Sequence, residues 1–383
     1  MVRTVGLTLV MLMMSSGCLA KEVGGQDVLP TDTIVSTPTE TLVVEKRIEE
    51  KKEKKSLFRN VSKIMGDVSN FFMGCDTTYI TPQLYEFTTQ IELSSWDDYY
   101  HMRSYTSSKS MDIKSESSYV LGGFIYWGFL GYGYSVNLRD IGVKNGEYNG
   151  TGRRQSLVLN TGRFFAEYYT FNSGKTAHIT HLSGQNLDGL DTSFKGLKSE
   201  CSGLNFSYIF NHNRYSWPAA FGQNAVQRKS CGTWKAGFTY NQQQISLNER
   251  ELPPDIKDID STLLFNHVNY TDYAINFGYA YNWVFKRNCL FAISVTPAIG
   301  YRKSNIMESD NSRFILRNIS TDLFTKVSVF WNNTRYFVGV MGELHTYHYR
   351  KKHFGLTNNY GTFRFIVGLN FLKKSQYKDN TTH

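Results

Sequence analysis

One stretch of the chain gathers side chains that are able to hold an anion. They are Arg214, Ser216, Gln223, Gln227, Arg228 and Lys229. Arginine offers phosphate, sulfate and carboxylate groups a planar fork of hydrogen-bond donors, and lysine adds a compact positive charge. One interpretation is therefore a ligand-binding site for a small anionic solute. The other is an inward loop or bulged strand whose polar side chains bond to the backbone and to acidic neighbours, and both remain open.

A second group is the pair Glu343 and His345, which are two residues apart and therefore share one face of a strand. With Ser328 or Ser294 they would make a hydrolytic arrangement, whereas an ion pair inside the fold is the simpler explanation. His345 and His348 are three residues apart and point to opposite faces, so they are poor partners for one metal. The G-x-S-x-G, Walker, H-E-x-x-H and paired C-x-x-C motifs are absent. We therefore predict no catalytic residue, metal or cofactor, and an enzyme is the less favoured class.

The first residues have the plan of a secretory signal peptide. Arg3 precedes an apolar run over residues 5–14, followed by the candidate cleavage site Cys18-Leu19-Ala20. Cleavage after Ala20 is one route, and lipidation of Cys18 is the alternative. We predict a signal peptide over residues 1–20 and a polar, charged linker over 21–55. Residues 56–74 carry apolar side chains at helical spacing, which predicts a short amphipathic helix that packs on the next domain, plugs it or lies on a membrane surface.

From residue 76 onward the apolar period changes from 3.6 to 2, which predicts β-strands. In the cleanest segment, residues 273–285, large apolar side chains alternate with small or polar ones such as Ala274 and Asn282. The other clear segments are 85–93, 130–138, 234–241, 291–301 and 362–371. Weaker segments are 98–106, 117–126, 156–171, 202–211, 313–331 and 334–349.

These strands have the length and composition of a membrane barrel. No apolar run beyond the signal reaches the roughly 18 residues of a membrane-spanning helix, whereas strands of about 10 residues with aromatic ends suit a barrel wall. We predict an all-β fold, an antiparallel transmembrane (outer-membrane) β-barrel of about 12 strands over residues 76–372, with a polar tail over 373–383. A secreted β-sandwich is the alternative, because it also buries one face of each strand. Tight turns are predicted at 286–288 and 330–335, and longer loops at 145–154, 184–198, 248–269 and 304–313.

Three features carry a resemblance to a known family. They are the phrase F-N-H-N-R-Y-S-W-P-A-A-F-G-Q at residues 210–223, which continues to Q-R-K-S-C-G at 227–232, the opening D-T-T-Y-I at 76–80, and the glycine- and aromatic-rich final strand. Over about residues 76 to 372 the chain resembles the uncharacterised Bacteroidota proteins grouped as domain of unknown function 4421. The resemblance implies an outer-membrane β-barrel and brings no established activity or substrate. Cys231 departs from the small residue that the family tends to have there.

The formal net charge of +9 points to anionic partners in general. Because the bases are scattered, outer-membrane lipid or lipopolysaccharide phosphates are the expected partners, and nucleic acid is not. We predict a non-enzymatic outer-membrane barrel acting as a pore, in lipid or glycan handling, or as a structural partner of the envelope. The alternatives are an outer-membrane lipid-modifying enzyme and a secreted β-sandwich binding protein. Cys201 and Cys231 flank the unusual phrase, and a disulfide between them or free thiols are both open.

Overall fold

The computed structural model describes residues 71–138, 153–174, 176–254, 256, 259–260, 263, 267–307, 313–350, 354–374 and 377. The predicted signal peptide with Cys18, the linker and most of the amphipathic helix lie outside the described residues, as does most of the tail. The end of that helix is described and is helical over residues 71–73. None of the helices in these ranges has the length and hydropathy needed to cross a membrane.

Seventeen strands are described. They are Ile80–Thr81 (β1), Tyr85–Ser104 (β2), Ser110–Ser115 (β3), Ser118–Trp127 (β4), Leu130–Asn137 (β5), Arg153–Asn160 (β6), Phe164–Gly174 (β7), Ala177–Leu182 (β8), Ser193–Phe194 (β9), Leu197–Ile209 (β10), Val226–Gln227 (β11), Cys231–Leu247 (β12), His267–Lys286 (β13), Cys289–Met307 (β14), Arg313–Asn332 (β15), Tyr336–Arg350 (β16) and Phe354–Lys373 (β17). Two short helical turns are Pro218–Gly222 and Glu249–Glu251.

Twelve of these strands form a closed antiparallel barrel. Its order is β2, β4, β5, β6, β7, β10 and then β12 to β17, and the pairing of β17 with β2 closes it. The predicted count of about 12 is therefore confirmed. Two of the predicted segments were wrong, but one of them adds no strand and the other contains two, so the total is unchanged. Residues 98–106 continue β2, and residues 156–171 form the hairpin of β6 and β7, whose turn at 161–163 is closed by a bond from the Phe164 amide to Thr161 Oγ1.

The direction of the side chains identifies a membrane barrel. On β13, Ile275 is 71% exposed and Phe277 is 53% exposed, while Ala280 and Asn282 between the large residues are fully buried. A soluble sandwich would bury the aromatic face instead, because that face carries the apolar area. Here the apolar face covers the outside of a wall of strands up to 20 residues long, and the polar face lines the interior. The chain is therefore a transmembrane β-barrel, and the β-sandwich alternative is wrong.

The two ends of the barrel differ. The turn end, as we call it, carries short connections at 128–129, 161–163, 287–288 and 333–335, together with the start of β2 and the end of β17. The predicted tight turns at 286–288 and 330–335 are among them, and Asn288 takes a positive φ of 64°, a conformation that asparagine tolerates in turns. The loop end carries the longer connections, which include β3, β8 and β9.

The loop end has an apolar interior. Beyond Trp96, towards the loop end, β2 pairs with β3 in place of β4, and β3 pairs with β8. The inward side chains of this extension meet those of the main wall in one cluster of buried residues. Its members are Tyr100, Met102, Met111, Ile113, Ala177, Ile179, Leu182, Phe194, Leu197, Ile245, Leu247, Ile256, Leu263, Val268, Tyr270 and Leu356. The barrel interior is therefore filled with apolar side chains at this end.

Candidate functional site

Residues 210–230, which connect β10 to β12, turn into the barrel at the turn end, and we call them the luminal segment. Pro218 opens its single helical turn, because a fixed φ and a missing N–H are tolerated at a first helical position. Gln223 ends that turn with a left-handed φ of 59°. The segment then forms β11, which pairs with β1 in a separate two-stranded sheet.

Gln227 is the main anchor of the luminal segment and is 3% exposed. Its Oε1 accepts hydrogen bonds from the Ser216 amide at 2.9 Å and from Asn282 Nδ2 at 3.0 Å. Its Nε2 donates to the carbonyls of Arg214 at 2.7 Å and Lys229 at 3.0 Å. One buried amide therefore satisfies both arms of the segment and ties them to β13.

Ser216 and Gln223 also bond within the fold. The Ser216 hydroxyl accepts a bond from the Ala219 amide at 3.1 Å, and Gln223 Nε2 donates to the Ala219 carbonyl at 3.1 Å. On the other side, Asn332 Nδ2 donates to the Gln223 carbonyl at 3.2 Å, and Ser328 donates to a carbonyl of the helical turn. These contacts fix the segment to β15, so Ser216, Gln223 and Gln227 hold the segment in the barrel.

Aromatic packing fills the space around the helical turn. The Trp217 ring lies 5.3 Å from that of Phe165 on β7 and 4.5 Å from that of Phe221. Trp217 is 1% exposed, and the neighbouring Ala219 and Ala220 pack against the inner face of β14. The luminal segment therefore contacts the wall on several sides of the barrel.

The three basic residues of the predicted cluster lie together, apart from the buried amides. Arg214 and Lys229 each bring their charge within 5.2 Å of the centre of the Tyr79 ring, and Arg228 donates to Thr81 Oγ1. We call Tyr79, Arg214, Arg228 and Lys229 the turn-end cluster. Its basic side chains are exposed.

The turn-end cluster has one acidic neighbour in the described residues, Asp76, whose carboxylate lies 3.9 Å from Arg214 Nε. The pKa of Asp76 is lowered first by the hydrogen bond from the Thr78 hydroxyl and then by the Thr78 amide, with smaller contributions from Arg214 and Lys229. Asp76 is therefore held as an anion. Of the six predicted residues, the three cations Arg214, Arg228 and Lys229 are exposed at the turn end, and two of them, Arg214 and Lys229, lie beside the Tyr79 ring. Anion binding there stays a prediction.

A buried ion triad lies deeper in the lumen. Arg302 on β14 is 1% exposed and pairs with Asp272 at 2.5 Å and with Asp322 at 3.2 Å on the neighbouring strands. Ser320 donates to Asp272 at 2.8 Å, and Arg302 Nη1 donates to the His348 carbonyl at 2.9 Å. Buried charges need such partners because an unpaired charge loses its hydration without compensation.

A second ionic group surrounds Glu343. Its carboxylate pairs with Arg364 at 2.6 Å and with Lys326 at 2.8 Å. Arg154 and Glu167 make a further pair at 3.0 Å on β6 and β7. An ion pair inside the fold was the simpler prediction for Glu343, but its partners are Arg364 and Lys326 and not His345.

A cavity of about 50 Å³ lies among these charges. Its lining includes Arg154, Glu167, Tyr169, Cys201, Lys326, Glu343, His345, Tyr347, Asn358 and Tyr360. Two buried polar atoms at this lining, Asn358 Oδ1 and His345 Nε2, have no hydrogen-bond partner in the described structure. One water needs about 10 to 15 Å³ on this measure, so the cavity suits a few waters that bond to these atoms.

The hydrolytic alternative for Glu343 and His345 gains no support from their surroundings. Glu343 is engaged by two cations, and Ser328 donates its hydroxyl to the Ala220 carbonyl at 2.7 Å. His345 Nδ1 lies 3.3 Å from the Tyr347 hydroxyl. In the described ranges, no group of three or more His, Cys, Asp or Glu is arranged to hold a metal ion.

The four cysteines of the described ranges form no disulfide. Cys75, Cys201, Cys231 and Cys289 are free thiols, so the open question of a Cys201–Cys231 disulfide is resolved against it. Cys201 donates to Asn241 Oδ1 at 3.0 Å, which gives the thiol a structural partner on the adjacent strand β12.

Sequence reasoning missed the Arg302 triad and the Arg154–Glu167 pair. The signal was present for Arg302, since it continues the inward series of Ala298 and Gly300 on β14 by two further residues. For Arg154 the alternation is shorter, because β6 has eight residues.

The family model described as Domain of unknown function (DUF4421) matches residues 75–371. No curated protein sequence matches the chain. Among solved structures, the outer membrane protease OmpT from Escherichia coli aligns at 11% identity and a TM-score of 0.38, over 74% of this chain and 96% of that one. The beta domain of the Bordetella autotransporter BrkA aligns at 9% identity and 0.31, over 73% and 99%. The P. putida toluene transporter TodX aligns at 6% identity and 0.25, over 76% and 91%.

Proposed function

The chain belongs to this family of unknown function, DUF4421, and on that premise we propose that it is a closed, non-conducting outer-membrane barrel that serves as a structural partner of the cell envelope. The observation that carries the proposal is the luminal segment, whose residues Gln227 and Gln223 are bonded to β13 and β15. A pore needs a continuous water path, and this segment stands in it.

Two further features support a closed lumen. The ion pairs around Arg302 and Glu343 occupy its middle, and the apolar cluster of Met102, Ile245 and their neighbours fills the loop end. A 12-stranded barrel is wider than the eight-stranded barrels that side chains alone fill, so the luminal segment supplies part of the filling. A pore or a channel for lipids and glycans is therefore the less favoured of the predicted roles.

The test is planar-bilayer conductance of the purified full chain. Because the lumen is blocked at both ends, we expect no steady conductance from the wild type. We expect discrete steps from a variant in which residues 214–227 are replaced by a Gly-Ser linker of equal length and Met102 and Ile245 of the loop-end cluster are replaced by Gly. A matched variant with such a linker at 184–192 at the loop end controls for the substitution itself and is expected to stay silent. Heat-modifiable migration verifies that each variant is folded. Steady conductance of the wild type would refute the proposal.

The export route belongs to the same proposal. Residues 1–20 act as a signal peptide, with cleavage after Ala20, or with lipidation of Cys18 as the alternative. The mass of the mature N-terminus distinguishes the two, because lipidation leaves acyl chains on a chain that begins at Cys18. The turn end then faces the periplasm, since barrels of this class have short periplasmic turns.

The turn-end cluster is the ligand site of this proposal. Arg214, Arg228 and Lys229 bind a small anionic solute or an anionic group of an envelope partner. Two cations within 5.2 Å of one tyrosine ring support it, because the single charge of Asp76 balances only one of them and a further anion would relieve the remaining repulsion.

A further inference from the structure

The turn end is strongly basic. Among the described residues of its connections and strand ends (71–86, 128–129, 161–163, 210–230, 286–288, 333–335 and 373–374) there are nine Lys or Arg and two Asp or Glu. The basic ones are Arg163, Arg214, Arg228, Lys229, Lys286, Arg287, Arg335, Lys373 and Lys374. The acidic ones are Asp76 and Glu86.

The connections of the loop end, counted without its strand ends, have the opposite balance. Its connections, within the described residues of 105–117, 176–196 and 248–263, hold four Lys or Arg and seven Asp or Glu. The net charge of the whole chain is spread over both ends and the interior, so it does not by itself explain a basic turn end. Among the described connections, the basic excess is therefore at the turn end, although strand ends at the loop end carry further basic residues such as Arg103, Arg153 and Lys198.

Part of this charge lies on the barrel perimeter, beside the lipid-facing surface. Lys286 ends β13, Arg287 follows it, Arg335 precedes β16, and Lys373 ends β17. These strand ends lie on one side of the wall, and we call the four residues the basic arc. Exposed aromatic side chains lie next to the arc along the chain. Trp283 and Phe285 precede Lys286, and Trp331 and Tyr336 lie on either side of Arg335. The Arg335 guanidinium lies 5.4 Å from the centre of the Tyr336 ring.

We propose that the basic arc binds the anionic phosphate headgroups of phospholipids in the leaflet at the turn end. Aromatic girdles mark the level at which acyl chains meet headgroups, so cations one or two residues beyond the girdle lie at phosphate level. An acidic protein or polymer would be better met by cations in the centre of the end face than by cations at its edge. In the proposed orientation this is the periplasmic leaflet, and the inference does not depend on whether the lumen is closed.

The protein carries its own reporters for this leaflet. Of its six tryptophans, Trp96 and Trp217 are each 1% exposed inside the barrel, and the other four face lipid. Those four are Trp127, Trp234, Trp283 and Trp331, and each lies within four residues of a strand terminus at the turn end. Fluorescence quenching by brominated acyl chains therefore measures which lipids contact the turn end, whichever way the barrel inserts.

The experiment compares brominated phosphatidylglycerol with brominated phosphatidylcholine, each diluted to the same fraction in phosphatidylcholine vesicles that contain the full-length folded chain. We expect the anionic lipid to associate about fivefold more tightly, which corresponds to about 1 kcal/mol. We expect the triple variant Lys286→Gln, Arg287→Gln, Arg335→Gln to lose that preference. Raised salt should reduce the wild-type preference, because the headgroup contact is electrostatic.

A matched triple variant, Lys114→Gln, Lys198→Gln, Lys303→Gln, removes the same charge from exposed outer-face positions at the loop end. It is expected to keep the wild-type preference. Equal quenching by the two brominated lipids in the wild type would overturn the inference and favour an acidic protein or polymer as the partner of the basic end. The same preference for phosphatidylglycerol in both triple variants would overturn it too. Conductance tests the closed lumen and quenching tests the basic arc, so the failure of one proposal does not imply the failure of the other.

Discussion

The side-chain amide of Asn282 donates to Gln227 Oε1 at 3.0 Å, although the two residues are 55 positions apart in the chain. Asn282 is fully buried on the inner face of β13, and Gln227 belongs to β11 of the luminal segment. A wall strand and the segment inside it are thus joined by a pair of side-chain amides, which helps to hold the segment in the lumen.

Gln227→Ala is expected to lower the free energy of unfolding by about 2 to 4 kcal/mol, because buried donors and acceptors lose their partners. The groups that lose a partner are the Ser216 amide, Asn282 Nδ2, which keeps its bond to the Ser216 carbonyl, and the carbonyls that Gln227 serves. Urea unfolding in vesicles measures the change. Gln242→Ala, at an exposed outer position of β12, is the control and should be nearly neutral. A Gln227 variant as stable as that control would contradict the anchoring role.

Arg302→Met is expected to destabilise the barrel by about 3 to 5 kcal/mol, because it leaves two buried carboxylates without their cation. Asp272 and Asp322 pair with Arg302 at 2.5 and 3.2 Å, respectively. Adding Asp272→Asn and Asp322→Asn should recover part of the loss in the same urea unfolding measurement. Lys303→Met, the next residue and exposed, should change little. No recovery in the triple variant would mean that packing, and not charge, sets the cost.

The barrel wall was predictable from the sequence because lipid outside and a polar lumen inside impose a period of 2. Residues 273–285 show this directly, since each large side chain is exposed and Ala274, Ala280 and Asn282 are buried. The strand boundaries were less predictable. The hairpin turn at Thr161 lies between two apolar runs, so the pattern predicts a single strand over residues 156–171 where there are two. Conversely, β2 continues through polar residues such as Asp97 and Asp98, where the apolar pattern is interrupted.

The interior was not predictable in the same way, because its contacts join distant parts of the chain. The phrase at 210–232 indicates an unusual segment. The two interpretations of it, an anion-binding site and an inward loop with internally bonded side chains, differ only in where the polar side chains point. Trp217 packing on Phe165 and Asn332 bonding to Gln223 depend on the closed ring of strands. The separation of the three basic residues from the three buried polar residues follows from the β1–β11 pairing, which has no local sequence signature.

Lys235→Met is expected to raise the free energy of unfolding by about 1 to 3 kcal/mol, because replacing a buried charge by an apolar side chain of similar volume removes a desolvation cost. Lys235 is 7% exposed, and its Nζ lies 4.6 Å from the centre of the Trp217 ring. Within the described part of the chain no carboxylate pairs with it. Lys198→Met at an exposed position is the control. A loss of stability specific to Lys235→Met would show that the cation is needed in the lumen.

His212 makes stability depend on pH near neutrality. Its pKa is lowered from 6.5, first by burial and then by the charge of Arg163. The unfolded chain therefore takes up the proton first, so the contribution of His212 is present above about pH 6.5 and is lost as the pH falls below that value. We expect the stability difference between the wild type and His212→Gln to shrink or reverse between pH 8 and pH 5. A difference that is constant over this range would contradict the assignment.

The turn-end cluster should bind inorganic phosphate at low ionic strength, because Arg214 and Lys229 both lie 5.2 Å from the centre of the Tyr79 ring and the acidic counter-charge near them is Asp76 alone among the described residues. Isothermal titration calorimetry of the detergent-purified chain measures this. The variant Arg214→Ala, Arg228→Ala, Lys229→Ala should weaken binding by tenfold or more, since each charge-assisted hydrogen bond contributes about 1.5 to 3 kcal/mol. Lys286→Ala, Arg287→Ala, Arg335→Ala removes as much charge from the perimeter and should bind like the wild type. Equal weakening in both variants would mean that phosphate senses only the net charge of the turn end, and no specific site exists at Tyr79.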